Sequence, residues 1–318
     1  MANFFRVSFL SVETSIPQKT SPYGILGGPA KTEEPNMTAS NFVIYYHSRE
    51  GSTAIINTLS GQNGIRVPVV EDLDRYRFSK NHKVGEIYQY LDEALSTGHL
   101  KNSDHQDSHL QSVDWNKPYQ CIGFKWRIFG SPKKIAEIFN KHNVTVLVLT
   151  RRNFLELVCS TYIHKYANIL QRKVKVPTFP QFRARNITGE KQEAYLDMMR
   201  RPRFAFFWPL FFKSTYARII IKFRQYKMIN KLKAEGVKIT QIFYEDFDTN
   251  PEAFIRDFLD TIGMDSSVEI NTRCDFIKVH DQPHASRINR IERGTTAPIG
   301  GWIFRRMNSY YDKLVDRI

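Results

Sequence analysis

The sequence predicts an α/β fold, a doubly wound parallel sheet flanked by helices in a single domain. Three observations predict it. Short apolar, β-branched runs at Phe42 to Tyr46, Gln120 to Ile128, Val144 to Leu149 and Ile239 to Tyr244 alternate with helix-spaced segments. That order builds parallel strands joined by crossover helices. The run Val144 to Leu149, VTVLVL, is apolar throughout, so both of its faces must be covered, as in a central parallel strand. Finally, polar or charged groups cluster where the strands end (Ser48 to Thr53, Lys125, Arg151-Arg152 and Tyr244 to Asp246), the edge at which such sheets hold ligands.

Taken in order, residues 1–40 carry Pro17, Pro22, Gly24, Gly27, Gly28, Pro29 and Pro35 among Ser, Thr and Lys. This composition predicts an extended or disordered lead-in, with the folded domain spanning 41–318. The strand at Phe42 to Tyr46 runs into the polar turn His47 to Thr53, after which Ala54, Ile55, Ile56 and Leu59 return with helical spacing. Arg66 to Glu71 predicts a short strand leading to two acids, Glu71 and Asp72. Val84, Ile87, Tyr88, Leu91 and Leu95 predict a helix. Residues 98–118 hold His99, His105 and His109 with Asp104 and Asp107. Their spacing matches no metal-ligand set, and a solvated loop is the preferred reading over a metal cluster.

Gln120 to Ile128 predicts a core strand carrying Lys125, and Ser131-Pro132 opens a helix to about His142. The strand Val144 to Leu149 ends in Thr150-Arg151-Arg152-Asn153, and a helix follows to about Leu170. Phe204 to Phe223 is dense in aromatics. It reads as a core helix broken or started at Pro209, with the wall of an apolar acceptor site as the alternative. Ile239 to Tyr244 predicts the next strand. Asn250-Pro251 starts a helix that Gly263 closes, and a basic terminal segment, 288–318, ends in a helix.

The chain of 318 residues is 42% hydrophobic and 25% charged, enough for one large core. Its net charge of +14 calls for an anionic partner: a nucleotide, nucleic acid, acidic glycan or lipid surface. Cys121, Cys159 and Cys274 stand singly, with neither metal spacing nor a disulfide framework, which predicts a reducing, cytoplasmic setting. No signal peptide or membrane-spanning run is visible, so the sequons at Asn36, Asn143 and Asn186 read as chance matches. Peripheral membrane contact stays open.

The turn after the first strand carries the chemistry. Strand, glycine-containing turn and helix form an anion cradle, because the first N–H groups of a helix lack partners and its dipole favours negative charge. Gly51 lets the backbone approach a phosphate, Ser52 and Thr53 add hydroxyls, and Arg49 adds a forked cation. The alternative is an ordinary β–α turn with a Ser cap. The nucleotide-hydrolase signature GxxxxGK[ST] is not met, since the first Gly and the Lys are missing. The cradle is therefore P-loop-like rather than a P-loop.

With the second corner included, the chain resembles sulfotransferases that use 3′-phosphoadenosine 5′-phosphosulfate (PAPS). Their first strand leads into RxGST or KSGTT, matched by Arg49-Glu50-Gly51-Ser52-Thr53. Carbohydrate-acting and bacterial members are the most similar, since they carry Arg at that position. Their second motif, Arg-Asn-x-x-Asp-x-x-x-Ser, is matched by Arg152-Asn153 through Ser160, with Glu156 for the Asp. Tyr244-Glu245-Asp246-Phe247 resembles their YEDL corner. Arg293-Gly294 through Gly301-Trp302 loosely resembles a nucleotide-covering loop.

The resemblance implies that Ser48, Arg49, Glu50, Gly51, Ser52 and Thr53 hold the 5′-phosphosulfate. It implies that Arg152 and Ser160 hold the 3′-phosphate, with Arg293 and Gly294 over the nucleotide. PAPS is then the co-substrate and PAP the product, with no metal required. Arg49 stabilises the leaving oxygen and Lys125 contacts the sulfuryl group or the acceptor. Glu71 is the general base, with His82 as runner-up. The implied acceptor is a hydroxyl of a carbohydrate, lipid-linked or small molecule. Two rivals remain: a nucleic-acid or polyanion binder, for which no recognition motif is present, and a P-loop kinase, for which the Walker Lys is missing.

Overall fold

The structure, a computed structural model, describes residues 39–48, 50–68, 73, 84–98, 118–162, 208–272 and 298–318. Strand β1 (Asn41–Tyr45) is followed by α1 (Ser52–Ser60), β2 (Gly64–Arg66), α2 (Val84–Thr97) and β3 (Tyr119–Trp126). Next come α3 (Pro132–Lys141), β4 (Val144–Thr150) and α4, helical over 154–162. The chain continues with α5 (Trp208–Ala234), β5 (Ile239–Phe243), α6 (Tyr244–Thr249), α7 (Pro251–Ile262) and α8 (Pro298–Val315).

The five strands form one parallel sheet in the order β2-β3-β1-β4-β5. β1 lies at its centre, buried at every residue, with β3 on one side and β4 on the other. The strand order reverses there, so the crevice for a ligand opens at the carboxyl end of β1. Alternate residues of β1 serve opposite layers. Val43 and Tyr45 pack with α2, α3 and α5 through Leu91, Phe139 and Ile229. Phe42 and Ile44 pack with α1 and α7 through Ile55 and Phe258. Helices therefore cover both faces, and the α/β fold is the one the alternating pattern predicts.

Local signals placed several boundaries well. Asn250 caps α7 by accepting from the Ala253 N–H at 3.1 Å, and Gly263 ends that helix at φ +78°. Helix α5 starts one residue before Pro209, so the aromatic stretch is helical from Trp208. Phe211 is fully buried, whereas Tyr216 is 62% exposed.

The strand expected at Arg66 to Glu71 is instead Gly64–Arg66. Val67 and Pro68, the last described residues of that stretch, lie outside the strand, and Pro68 has no N–H to give a ladder. Of the lead-in, only Ala39 and Ser40 fall among the described residues; both are buried, and the Ser40 N–H donates to the Ile262 carbonyl at 2.7 Å. The His/Asp-rich stretch, apart from Gly98 and Pro118, lies outside the described residues. No helix among those described is long and apolar enough to cross a membrane.

Candidate anion site at the carboxyl edge

The turn after β1 folds back on itself. The Glu50 carboxylate accepts the His47 N–H at 2.6 Å, and the Glu50 N–H returns to the His47 carbonyl at 3.3 Å. Gly51 then caps α1 at φ +84°, a left-handed conformation that glycine adopts without steric cost. A Cβ at this position would lie 2.0 Å from the Tyr244 ring, so position 51 also has no room for a side chain. No side chain caps α1. Its first turn thus presents the Ser52 and Thr53 N–H groups at the sheet's carboxyl edge, a geometry suited to an anion. Lys125, level with Ile44 in the register and 1% exposed, donates to the Thr53 hydroxyl at 2.8 Å. A buried cation therefore stands beside that first turn.

The second corner follows β4. Asn153 caps α4, its side-chain oxygen accepting the Glu156 N–H at 3.0 Å. Glu245 of α6 accepts from the Arg152 and Asn153 N–H groups, at 3.0 Å each. The half-exposed Arg152 guanidinium is bidentate to Asp246, at 2.5 and 3.3 Å, and lies 3.7 Å from the Phe243 ring centroid. Arg151 donates to Glu156 at 3.0 Å and lies 4.7 Å over the Tyr244 ring. One ring, Tyr244, thereby touches both corners. Arg152 precedes α4 and Ser160 lies within it, half-buried.

A third group was missed by the sequence reading. Along α5, Ser214, Arg218, Lys222 and Gln225 recur at helical spacing and are all buried. Lys222, 1% exposed, donates to the Thr150 hydroxyl at 2.7 Å and to the Gln225 side chain at 2.9 Å. Gln225 in turn donates to the Tyr45 carbonyl at 3.3 Å. Arg218 donates through Nε to the Thr161 hydroxyl at 2.6 Å, and its buried Nη1 has no hydrogen-bond partner among the described residues. This face of α5 thus ties the end of β1 to the end of β4 and to α4. The stripe gives little signal in the sequence, because Lys213, Arg224, Lys227 and Lys231 on the same helix make its basic residues look like a solvated face.

These charges face Glu50, which is 2% exposed. Burial raises its carboxyl above the ordinary range, and the charges of Lys222, Arg218 and Arg151 pull it back. Burial lowers Lys222 to about 8, with Glu50 opposing the shift. Behind the second corner, the buried Tyr311 of α8 donates its hydroxyl to the Arg151 carbonyl at 2.9 Å and stacks on Phe154 at 4.3 Å.

The structure brings Ser48, Glu50, Gly51, Ser52 and Thr53 together as one loop and sets Lys125 against it. Arg152 stands at the neighbouring strand end, whereas Ser160 lies eight residues further on, within α4. Arg49, Glu71, His82, Arg293 and Gly294 lie outside the described residues.

No family model matches the chain, and no curated protein matches it. Among solved structures, it is similar to one titled as the crystal structure of a sulfotransferase from Alicyclobacillus acidocaldarius. Identity is 14%, coverage is 88% of this chain and 96% of that one, and the TM-score is 0.45. A likeness at that level carries no argument for function, which rests on the chain's own residues.

Proposed function

We propose that this chain is a PAPS-dependent sulfotransferase that moves a sulfuryl group to an acceptor hydroxyl by in-line transfer. The observation that carries the reading is the uncapped, Gly51-opened first turn of α1 at the point where strand order reverses, flanked by the buried Lys125. Its donor set suits a phosphosulfate: backbone N–H groups, two hydroxyls and a cation. The Nη1 of Arg218, unpartnered among the described residues, adds a buried donor nearby in the fold.

PAPS supplies a sulfuryl group activated by its phosphate leaving group. Gly51, Ser52 and Thr53, with the backbone of Ser48 and Glu50 in the same loop, hold the 5′ end. Arg152 and Ser160 hold the 3′-phosphate, and Arg293 and Gly294 cover the nucleotide. Arg49 neutralises charge that grows on the leaving oxygen. Lys125 orients the transferring group, and Glu71 takes the acceptor's proton, with His82 second in line. The acceptor is a carbohydrate or lipid-linked hydroxyl. A cytoplasmic setting is supported by Cys121, a buried thiol outside any disulfide.

Thermal shift with PAP, ATP–Mg and oligonucleotides tests the nucleotide. Stabilisation by PAP alone supports the proposal, stabilisation by ATP–Mg points to a kinase, and stabilisation by oligonucleotides points to a nucleic-acid binder. Labelled PAPS with panels of glycan, lipid and small-alcohol acceptors then tests the reaction.

A further inference from the structure

A carboxylate inside an anion-binding loop is an electrostatic contradiction, and Glu50 is such a carboxylate. It follows Arg49 directly and precedes Gly51, so its backbone belongs to the cradle. A phosphate arriving there would meet a like charge unless that charge were hidden or cancelled. The structure does both. Glu50 is buried, and its carboxylate closes the loop by accepting the His47 N–H. Two buried cations of α5, Lys222 and Arg218, and Arg151 at the end of β4 oppose it. Arg151 is itself paired with Glu156, so Glu50 faces two buried cations of α5 that pair with no other carboxylate among the described residues. Among those residues Arg218 Nη1 also has no hydrogen-bond partner. Such a surplus of buried positive charge is costly by itself and is relieved by a further anion.

We propose that Glu50 is a positioning residue that fixes the shape of the anion loop, and that Lys222 and Arg218 cancel its charge from beneath so that the loop presents a positive field to a phosphate-type ligand. The inference rests on the anion-binding part of the proposed function, though not on the identity of the nucleotide. Glu50 shapes the loop through one hydrogen bond from the His47 N–H, and a neutral acceptor can replace that bond. Lys222 reaches Glu50 through its field, since its own hydrogen bonds go to Thr150 and Gln225.

The test is a double-mutant cycle on the full chain at pH 7, with PAP and inorganic pyrophosphate titrated separately by calorimetry. Lys222→Gln leaves Glu50 opposed only by guanidinium groups, and affinity for either probe is expected to fall about tenfold or more. Glu50→Gln keeps the acceptor for His47 and removes a charge that repels the ligand, so affinity should rise above that of the native chain. The double variant Glu50→Gln/Lys222→Gln should return to within about threefold of native, a rescue that lost packing cannot produce. A double variant as weak as Lys222→Gln overturns the proposal. If Lys222→Gln does not fold, Glu50→Gln decides alone, and a tenfold loss in that variant overturns it. The expected pattern with pyrophosphate but no binding of PAP upholds the electrostatic role and rejects the nucleotide. A native chain that binds neither probe rejects both.

Discussion

The ring of Tyr244 fills the space that a side chain at Gly51 would need, with Cδ2 2.0 Å from where a Cβ would sit. The loop after β1 and the corner after β5 are thus shaped against each other. Gly51→Ala must adopt φ near +84° and displace the ring. The left-handed conformation alone costs about 1–2 kcal/mol. The melting temperature should fall, and PAP affinity should drop at least tenfold as the loop shifts. Adding Tyr244→Ala should recover part of the stability by removing the clash, while the backbone strain remains. Native-like melting and PAP binding in Gly51→Ala would contradict this account.

Arg152 and Asp246 form a half-exposed ion pair. Such pairs contribute about 0–1 kcal/mol, so Arg152→Ala should scarcely alter stability. Its effect should appear in binding, where a charge-assisted phosphate contact is worth about 1.5–3 kcal/mol, against about 1 for the Ser160 hydroxyl. Adenosine 5′-phosphate, which lacks the 3′ group, should lose nothing in either variant. Asp246→Asn, which releases Arg152, should bind PAP at least as well as the native chain. Equal losses for both nucleotides would remove these residues from the 3′-phosphate.

Glu245 accepts two backbone N–H groups that open α4. Glu245→Ala leaves both without that acceptor and should cost about 1–2 kcal/mol, in line with loss of a helix cap. Glu245→Gln keeps one acceptor oxygen and should cost less. Urea denaturation at neutral pH measures the difference.

Lys222 gives a pH signature. Burial sets it at about 8 in the folded chain, below the ordinary 10.5, so it is charged below that point and neutral above it. PAP affinity should therefore decline as pH rises through about 8, when Glu50 loses one of its three opposing charges, and should stay flat in Glu50→Gln/Lys222→Gln. The sign for stability is opposite. Between about 8 and 10.5 the unfolded chain holds this proton more firmly, so the cost of burying the cation, present in full below 8, is relieved as pH rises.

Arg49 and Glu71 separate binding from chemistry. Arg49→Ala should reduce kcat more than nucleotide affinity, because the charge it meets grows during transfer. Glu71→Gln should leave PAP affinity unchanged and lower single-turnover transfer by about 10²–10⁴-fold. Near-native turnover would exclude Glu71, and His82→Asn would be measured next.

Features encoded within a few residues were legible in advance. The continuous apolar run of β4, the Asn250-Pro251 start of α7 and the glycine turn at Gly51 each depend on local geometry. The register that sets Lys125 against Thr53 depends on pairing between distant strands and was visible only as a shared strand edge. Lys222 and Arg218 were hidden for a different reason. Basic residues on a helix usually mark its solvated face, and only the packing of α5 against β1, β4 and α4 shows that this stripe points inward. Glu50 was read as one more loop residue because burial of a single side chain has no local signature.

The bond from Tyr311 to the Arg151 carbonyl joins residues 160 positions apart. At about 5–20 residues per second, a ribosome makes Tyr311 on the order of ten seconds after Arg151. Throughout that interval Phe154 lacks its stacking partner and the Arg151 carbonyl lacks its donor. During biosynthesis the corner carrying Arg151 and Arg152 is therefore completed only once α8 has been made and has docked.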